Sequence, residues 1–471
     1  MRRLRLLGAL IALLIGQTAV AALPALGNVA DSALTRAQER DLGRQMMAQV
    51  WRQIPLLDDP EINAYLQDLG ERLATHSDAP ELDYHFFVVD LPYINAFAMP
   101  GGYIGVNAGL ILSTRSESEL AGVLAHEIAH VTQRHLARRL EASQRMSLQN
   151  TALLLASVLI GMQNPEAGSA AAAASMAGSI QQQLNYSRAF EHEADNLGIR
   201  MLAAANLDPQ GMPVFFSRMA DATRYQNQPP EYLSTHPVTD ARIAESTSRA
   251  AAMRPNRLFE SSAFRFMQYR LQALESKPPR VNDFKALVQH ADKNSKPAAR
   301  YGLALALAAN RDYDQAREIL DELIQQVGEQ PSLLLAQAQL ERDAGNLTRS
   351  HELYKQTLAL YPGNRPALIG LTELLLQKNE AEQAYWLLNR ALPVREPSVY
   401  WLLAKSASAA KMPIESHLAM AEYYELRSDL DSALVQLQQV LNNPQASSHE
   451  LARASARREQ LYRERERLAR Q

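Results

Sequence analysis

Residues 121–130 read AGVLAHEIAH and contain the pattern H-E-x-x-H between His126 and His130. Residues four apart lie above one another on the same face of an α-helix, so both imidazoles can reach a single metal ion. Glu127 lies beside them on the helix, where its carboxylate can hold a water molecule without binding the ion. The pattern therefore predicts a metal site on a helix.

The residues around this pattern predict that the helix is buried. Ser116 and Glu119 have the spacing of a capping box, which places the start of a helix near Ser116. The flanking apolar residues are Leu120, Val123, Leu124, Ile128 and Val131. Burial of imidazole and carboxylate groups costs free energy unless these groups have partners. A shared metal ion would be such a partner.

The composition limits which residues can hold the ion. The chain has 471 residues, which predicts two or three domains, and it has no cysteine. A thiolate site and a disulfide framework are therefore impossible, and a zinc ion would need His, Asp or Glu ligands. The formal net charge of −3 argues against a nucleic-acid partner.

The first residues have the pattern of an export signal. Met1–Arg5 is basic, residues 6–15 are apolar, and Ala19-Val20-Ala21 matches a small-x-small cleavage site. The apolar run is shorter than the roughly 20 residues that span a bilayer, although an uncleaved anchor is the alternative. We predict that residues 1–21 are a cleaved signal peptide and that the mature chain is periplasmic.

The region before the metal motif predicts helices and then a small sheet. Apolar residues at helical spacing indicate two helices within residues 34–76, separated by Pro55 and Asp58-Asp59-Pro60. Residues 82–90 are rich in aromatic and β-branched side chains, which favours a strand. Residues 95–106 predict a hairpin that turns at Gly101-Gly102. An edge strand here could bind an extended substrate through backbone hydrogen bonds, but a purely structural hairpin explains the pattern equally well.

An apolar segment follows the metal helix at residues 151–180. It consists of an apolar run at 151–160 and a part rich in Ala, Ser and Gly at 168–180. The apolar run has about ten residues, below the roughly 20 that a spanning helix needs. We predict a buried helix pair or a lid over the site, with membrane contact at most peripheral.

The third metal ligand is expected near residue 191. A zinc site with two histidines needs a third protein ligand and keeps one position for water. Glu191 lies on a second predicted helix, and Asp195, four residues later, faces the same way and can orient a ligating imidazole. His192 and Glu193 are chemically competent alternatives on other faces of this helix. Spacing alone does not choose among these residues.

A further histidine precedes a proline in Ser234-Thr-His-Pro237. Because Pro237 disfavours helical backbone at His236, this imidazole is predicted on a loop. His236 could donate a hydrogen bond to the oxyanion of a tetrahedral intermediate, bind the metal as a fourth ligand that keeps the enzyme latent, or have no role. His135, five residues past His130, is not expected on the ligand face.

H-E-x-x-H at 126–130 and E-x-x-A-D at 191–195 together resemble the metallopeptidase family of HtpX and the CAAX prenyl endopeptidases. The hairpin with Asn95-Ala-Phe-Ala and Pro-Gly-Gly is similar to that family as well, and so is Ser234-Thr-His-Pro237 followed by Arg242-Ile243. The resemblance implies that His126, His130 and Glu191 bind one zinc ion, that Glu127 is the general base and that Asp195 supports a ligand. It favours Glu191 over His192. Unlike HtpX-like members, this chain has no transmembrane segment pattern beyond the leader.

Sequence repetition begins after about residue 261. Pro297, Pro331 and Arg365 start units with a period of 34 residues. Small or short side chains recur at the eighth and twentieth positions, which are Ala304, Ala338 and Thr372 and then Ala316, Ser350 and Ala384. This recurrence is typical of tetratricopeptide repeats. A fourth unit fits from Ile414, with an extra helix at residues 398–410 between, and residues 448–471 predict a capping helix or a tail.

These observations predict a mainly α-helical protein in two parts. Residues 28–255 are expected to form a zincin-like α+β metallopeptidase domain with a small β-sheet, and residues 261–447 a tetratricopeptide-repeat solenoid. A solenoid presents a concave surface to extended segments or partner proteins but has no chemistry of its own.

The order of leader, peptidase and repeats resembles bacterial envelope proteases that act in outer-membrane biogenesis. The resemblance implies that the chain promotes assembly of β-barrel proteins, degrades those that stall and docks on the outer-membrane assembly machinery through its repeats. The alternative is a non-proteolytic chaperone or adaptor with a residual zinc site. Glu127 argues against that alternative, because a scaffold needs no general base. A third possibility is the processing of lipidated substrates, as in the CAAX relatives. It has no support, because the sequence does not show the transmembrane helices of those relatives.

Overall fold

The computed structural model describes residues 34–143, 188–225, 230–255, 258–259, 261–275 and 278–469. The predicted signal peptide and the apolar segment 151–180 lie outside the described residues. In the first part of the chain, the helices are α1 Arg36–Gln53, α2 Pro60–Ala74, α3 Ala108–Ser113, α4 Glu117–Thr132, α5 His135–Ser143, α6 Arg188–Ala204, α7 Gly211–Tyr225, α8 Glu231–Thr235 and α9 Asp240–Ala252. The strands are β1 His85–Val89, β2 Ala96–Met99 and β3 Tyr103–Asn107.

The two helices predicted before the sheet are confirmed as α1 and α2, and each has a side-chain cap. Thr35 and Gln38 form a reciprocal capping box at the start of α1. Asp59 Oδ1 accepts a hydrogen bond from the Ile62 N–H at 3.0 Å, and Pro60 occupies the first turn of α2, where no amide hydrogen is needed.

The three strands form one sheet in the order β1-β3-β2. β1 pairs with β3 in parallel, and β2 pairs with β3 antiparallel as the predicted hairpin. Gly101 and Gly102, between β2 and β3, have φ values of 77° and 90°, which residues with a Cβ rarely adopt. β2 is therefore an edge strand of the sheet. The predicted strand at 82–90 is confirmed but is shorter, since β1 begins at His85.

Helix α4, which carries the H-E-x-x-H pattern, lies in the centre of the core. All of its residues except Val131 are buried. It packs against α2, α6, α7 and β2, so it has no face open to solvent. Ser116 caps it by accepting from the Glu119 N–H at 3.2 Å, but the Glu119 carboxylate accepts from the Arg115 N–H instead of closing the capping box.

Helices α4 and α6 approach closely where Gly198 faces the backbone of the metal motif. A Cβ at Gly198 would lie 3.2 Å from the His126 nitrogen and 2.5 Å from Met212 Cε. The Met212 methyl group can move, but the backbone nitrogen of His126 is closer than an ordinary van der Waals contact. A bulky side chain at residue 198 would therefore disturb the contact between the two helices that carry the site.

The rest of the described chain is helical. The helices are α10 Ala263–Glu275, α11 Val281–His290, α12 Lys296–Ala309, α13 Tyr313–Val327, α14 Pro331–Asp343, α15 Leu347–Leu360, α16 Arg365–Gln377, α17 Ala381–Asn389, α18 Pro397–Ala409, α19 Pro413–Leu426, α20 Leu430–Leu441 and α21 Ser448–Ala469. Together with the three-stranded sheet, they confirm the predicted fold class: a mainly α-helical chain with an α+β part and a small sheet, followed by a helical solenoid. The exact domain limits stay predictions.

The same turn connects the two helices of each repeat. In the second unit, Gly345 has a φ of 88°, and the Asn346 N–H donates to the Glu341 carbonyl at 2.8 Å. Equivalent positive-φ residues are Arg311, Asn379, Lys411 and Ser428. Lys411 joins α18 to α19, and Ser428 joins α19 to α20. The helix predicted as extra, α18, therefore has the turn of a regular unit, and α19 takes part in two successive units.

Buried and partly buried ion pairs join the second, helical part of the chain to the α+β part. Arg270 of α10 lies 2.8 Å from Asp59 Oδ2 and 2.8 Å from Glu61 Oε1 at the start of α2, and all three side chains are buried. At the other end, Arg467 of α21 lies 2.9 Å from Asp41 of α1. Helices at both ends of the second part, α10 and α21, therefore contact the α+β part of the chain. Across the described ranges, no helix combines the length and apolar character needed to cross a membrane.

Replacing Gly198 should weaken the contact between α4 and α6. Gly198→Val should lower the free energy of unfolding by about 1–3 kcal/mol or more, because the added side chain meets backbone atoms of the metal motif. Thermal and urea unfolding of the full chain measures this effect. Ala204→Val, at the exposed end of the same helix, is the control and should change stability little. Equal effects of the two changes would contradict the close-packing argument.

Candidate metal centre

Four buried side chains form a group that could hold a metal ion. They are His126, His130, Glu191 and His236, and their ligand atoms all lie within 4.8 Å of one another. None of the four is more than 3% exposed. The structure thus brings together the two histidines of α4, a carboxylate in the first turn of α6 and a histidine at the end of α8.

The separations of the ligand atoms fit a tetrahedral ion. His126 Nε2 lies 3.0 Å from His130 Nε2, 3.2 Å from His236 Nδ1 and 3.4 Å from Glu191 Oε2. Ligands at 2.0–2.1 Å from zinc in a tetrahedron are separated by about 3.3–3.4 Å. Glu191 Oε1 is buried without a hydrogen-bond partner, which an ion in the group would remedy. The residues present therefore fit zinc.

His236 reaches the group from a non-helical position, as predicted. It follows α8 with φ −124° and ψ 79°, and Pro237 comes next. The backbone N–H of Tyr232 donates to the Ile94 carbonyl at 3.0 Å, which attaches α8 to the chain just before β2. The Tyr232 ring stacks on the His236 imidazole with centroids 4.9 Å apart. These two contacts hold His236 beside the other ligand atoms.

Asp195 supports His126 on the side away from the group. His126 Nδ1 lies 2.9 Å from Asp195 Oδ1, and Arg242 binds both Asp195 oxygens at 2.8 Å. Arg242 Nη1 also lies 3.0 Å from Glu191 Oε2. Burial alone would raise the pKa of Asp195, but the hydrogen bonds with His126 and Arg242 lower it. Asp195 is therefore a charged acceptor that fixes the orientation of the His126 ring.

Glu127 lies beside the group without belonging to it. Its side chain has no exposed surface, and its Oε1 lies 3.4 Å from His236 Nε2. Neither carboxylate oxygen has a hydrogen bond of good geometry. Burial raises the pKa of Glu127, although His236 and His126 act against that effect. A carboxylate with a raised pKa next to a metal group is suited to accept a proton.

The charges of the group are strongly coupled. Burial alone would lower the pKa of His126, but hydrogen bonds to Asp195 and Glu191 raise it to about 9. Burial and the neighbouring His126 hold the pKa of His130 well below its ordinary value. Burial would raise the pKa of Glu191, yet His236 and His126 hold it well below its usual range. Glu191 is therefore the charged carboxylate of the group.

The two alternative ligands on α6 face elsewhere. His192 Nδ1 lies 2.9 Å from Glu245 Oε2, and both residues are partly exposed. Glu193 lies close to His135 Nε2 and to Arg138 Nη1, at 3.1 Å and 2.7 Å. Neither residue is in the metal group. The packing of α6 on α4 therefore selects Glu191, a choice that the spacing of the sequence left open.

Sequence reasoning missed the place of two residues. His135 is not a member of the metal group, as expected, but its Nδ1 lies 2.7 Å from His130 Nδ1. A helix that continued past His130 would carry His135 to another face, whereas α4 ends at Thr132 and Arg134 has a φ of 55°. No glycine or proline marks this turn. The sequence indicated Arg242 only as part of the segment that follows His236, and not as a partner of Asp195.

Three imidazoles and a carboxylate around one point, with a second carboxylate beside them, define a metallopeptidase centre. Comparison with known proteins agrees with this class. Residues 60–250 match peptidase family M48, and residues 341–406 match a tetratricopeptide repeat.

Relatives resemble the chain over nearly its whole length. A β-barrel assembly-enhancing protease of Escherichia coli is 34% identical over 469 residues, which are 97% of this chain and 96% of the relative. A putative β-barrel assembly-enhancing protease of Vibrio cholerae is 34% identical over 95% of this chain and 93% of its own. A mitochondrial metalloendopeptidase of Bos taurus is 30% identical over 39% of each chain.

The chain therefore belongs to peptidase family M48, among the members that include the bacterial β-barrel assembly-enhancing proteases. It is a zinc metallopeptidase followed by tetratricopeptide repeats, which confirms the predicted enzyme class and cofactor.

Arg242 should be needed for tight zinc binding. Arg242→Lys keeps a positive charge but cannot bind both oxygens of Asp195, so His126 loses its fixed orientation. We expect zinc affinity to fall about 10- to 100-fold, as measured by competition with a chelator. Arg249→Lys, on the exposed face of the same helix, is the control. If Arg242→Lys bound zinc as tightly as the wild type, Arg242 would not be needed for zinc binding.

Proposed function

We propose that this protein is a periplasmic zinc endopeptidase that promotes assembly of outer-membrane β-barrel proteins and degrades those that fail to assemble. The observation that carries the proposal is the buried group of His126, His130, Glu191 and His236 beside Glu127. The names of the relatives that match 95–97% of the chain supply the substrate class.

In this proposal, His126, His130 and Glu191 hold the ion. Bound zinc would supply an activated water and polarise the scissile carbonyl. Glu127 accepts a proton during attack on the peptide bond and passes it to the leaving amine. Asp195 and Arg242 keep the His126 ring oriented throughout.

We propose that an extended substrate pairs along the edge of β2 that faces away from β3, near the partly exposed Ala98. The Asn107 N–H donates to the Asn95 carbonyl, so alternation along the antiparallel pair turns the backbone groups of Ala96 and Ala98 away from β3. Ala98 lies next to the Glu127 carboxylate. A segment that paired with this edge would pass the site in extended form. Unassembled β-barrel proteins consist of such segments with unpaired edges.

The position of His236 supports a latent resting state. Its Nδ1 lies 3.2 Å from His126 Nε2 and 3.3 Å from Glu191 Oε2, within the spacing of ligands around one ion. As a fourth ligand it would occupy the place that water needs. Its Nε2 lies 3.4 Å from Glu127 Oε1, so it also lies next to the proposed base. We propose that His236 must leave before cleavage begins.

The repeats provide the surface for partners. A cleft of about 1170 Å³ lies between the peptidase part and the solenoid, and Trp51, Trp401, Arg395 and Arg427 are among its lining residues. None of the residues of the metal group lines it. We propose that the solenoid docks on the outer-membrane assembly machinery. Binding by the repeats and cleavage at the zinc site would then be separate activities of one protein, which includes the adaptor function considered above.

Replacing the proposed base tests the catalytic assignment. Glu127→Gln should retain zinc, because Glu127 is outside the ligand group, and should lower casein cleavage about 10²- to 10⁴-fold. Metal analysis and a casein assay on the same preparations measure both effects. Glu245→Gln, a change of a partly exposed carboxylate outside the metal group, is the control. Cleavage at the wild-type rate by zinc-loaded Glu127→Gln would disprove the assignment.

Replacing His236 distinguishes its two proposed roles. If His236 is a fourth ligand that blocks the site, His236→Ala should bind zinc through three residues and cleave casein severalfold faster than the wild type. His192→Ala, a change of a partly exposed histidine on α6, is the control and should leave the rate unchanged. A lower rate in zinc-loaded His236→Ala would instead support a role in stabilising the oxyanion.

A further inference from the structure

The Nδ1 atom of His130 faces an imidazole outside the proposed ligand set. It lies 2.7 Å from His135 Nδ1, and His135 Nε2 lies 3.1 Å from Glu193 Oε2. The His135 side chain has no exposed surface. Two contacts of hydrogen-bond length therefore connect His130 through His135 to a carboxylate of α6.

The contact depends on the break between α4 and α5. Arg134 has a φ of 55°, an unfavourable conformation for a residue with a side chain, and it turns the chain so that His135 returns to His130. The buried Arg134 side chain donates to Glu39 Oε1 at 3.1 Å and to the Leu34 carbonyl. The start of the described chain thus fixes the turn that places His135.

The His135 ring is held on its face as well as at its edges. It stacks on Phe190, with centroids 4.5 Å apart and an angle of 14° between the rings. The guanidinium carbon of Arg138 lies over the same Phe190 ring, 4.6 Å from its centroid. Its Nη1 atom lies 2.7 Å from Glu193 Oε2. Arg138 therefore balances the charge of the carboxylate that His135 contacts.

The hydrogen-bond directions follow from the chemistry of a ligating imidazole. When His130 binds through Nε2, its neutral ring carries the proton on Nδ1, which must donate to an acceptor. His135 Nδ1 is in position to accept it. His135 then carries its own proton on Nε2 and donates it to Glu193. Every nitrogen of the two rings has a role in this arrangement.

We propose that His135 is a positioning residue that orients His130 towards the metal, and that Glu193 fixes the tautomer of His135. This inference rests on the proposed role of His130 as a ligand. His126 is supported directly by a carboxylate, Asp195, at 2.9 Å. His130 would be supported by a carboxylate two residues earlier on α6, with an imidazole between them.

Four substitutions in the full-length chain test the proposal. His135→Phe keeps a buried ring on Phe190 but removes both nitrogens. His135→Asn places an amide near the position of Nδ1, towards His130, and His135→Gln places one near the position of Nε2, towards Glu193. His192→Phe, a change of a partly exposed histidine on α6, is the control.

Zinc affinity, measured by competition with a chelator, is the first readout. We expect His135→Phe and His135→Gln to bind zinc about 10- to 100-fold more weakly than the wild type, and His135→Asn to stay within about threefold. The second readout is the absorption spectrum of the Co²⁺-substituted protein. Its d–d bands should shift in the Phe and Gln variants, because the His130 ring changes its orientation towards the metal. The bands should not shift in the Asn variant, in which that orientation is kept.

The outcomes separate this inference from the proposed function. A wild-type protein without zinc would overturn the ligand assignment itself. A zinc-binding wild type whose Phe and Gln variants bind equally well would overturn the role of His135 alone. An Asn variant as weak as the Gln variant would overturn the acceptor role of Nδ1. If His135→Phe fails to fold, the Asn and Gln pair still decides, since both are small polar amides at the same position.

Discussion

The structure depends on the burial of charged and polar groups in a helix that has no exposed face. Helix α4 carries His126, Glu127 and His130 into the core, where an unpaired charge would be strongly destabilising. Helix α6 supplies Glu191 and Asp195, and Arg242 of α9 pairs with both. Glu191, Asp195 and Arg242 pair with one another or with the histidines, whereas Glu127 lies outside the ligand group and burial raises its pKa. The site is therefore also a large part of what holds α4, α6 and α9 together.

The two histidines of α4 are supported in different ways. His126 contacts Asp195 directly, and Arg242 holds that carboxylate with two hydrogen bonds. His130 contacts a second imidazole, His135, which a turn in the chain brings back beside it. A partner for the second ring nitrogen fixes the tautomer and the orientation of a histidine that binds a metal. Both rings thus depend on residues outside the H-E-x-x-H pattern.

The solenoid is attached to the peptidase part by buried charge and not by apolar contact alone. Arg270 pairs with Asp59 and Glu61, and Asp59 also caps α2. A second ion pair joins Arg467 of α21 to Asp41 of α1, so charged contacts at both ends of the helical array hold it against the peptidase part. The cleft of about 1170 Å³ lies between the two parts.

Much of the fold was predictable because it depends on local patterns. The period of 34 residues, with small side chains at fixed positions, predicted the repeats, since paired helices can approach only where side chains are small. Gly101 and Gly102 predicted the turn of the hairpin because only glycine adopts their φ values easily. The capping box at Ser116 formed only in part, because Glu119 found another backbone donor at Arg115. Helix α18 was assigned as extra because its unit starts 32 residues, and not 34, after Arg365.

The sequence by itself determined that His126 and His130 share a helix face, that Glu127 lies beside them and that no cysteine can take part. These conclusions follow from the geometry of one helix and from composition. Residue spacing left Glu191, His192 and Glu193 open, and the tertiary structure brings Glu191 into the group. The tertiary structure also decided that His236 reaches the group and that His135 contacts His130. The reason is physical: a helix sets which residues share a face, but packing between helices sets which face meets the site. The close approach of α6 to α4 at Gly198 turns the face of α6 that carries Glu191 towards the site.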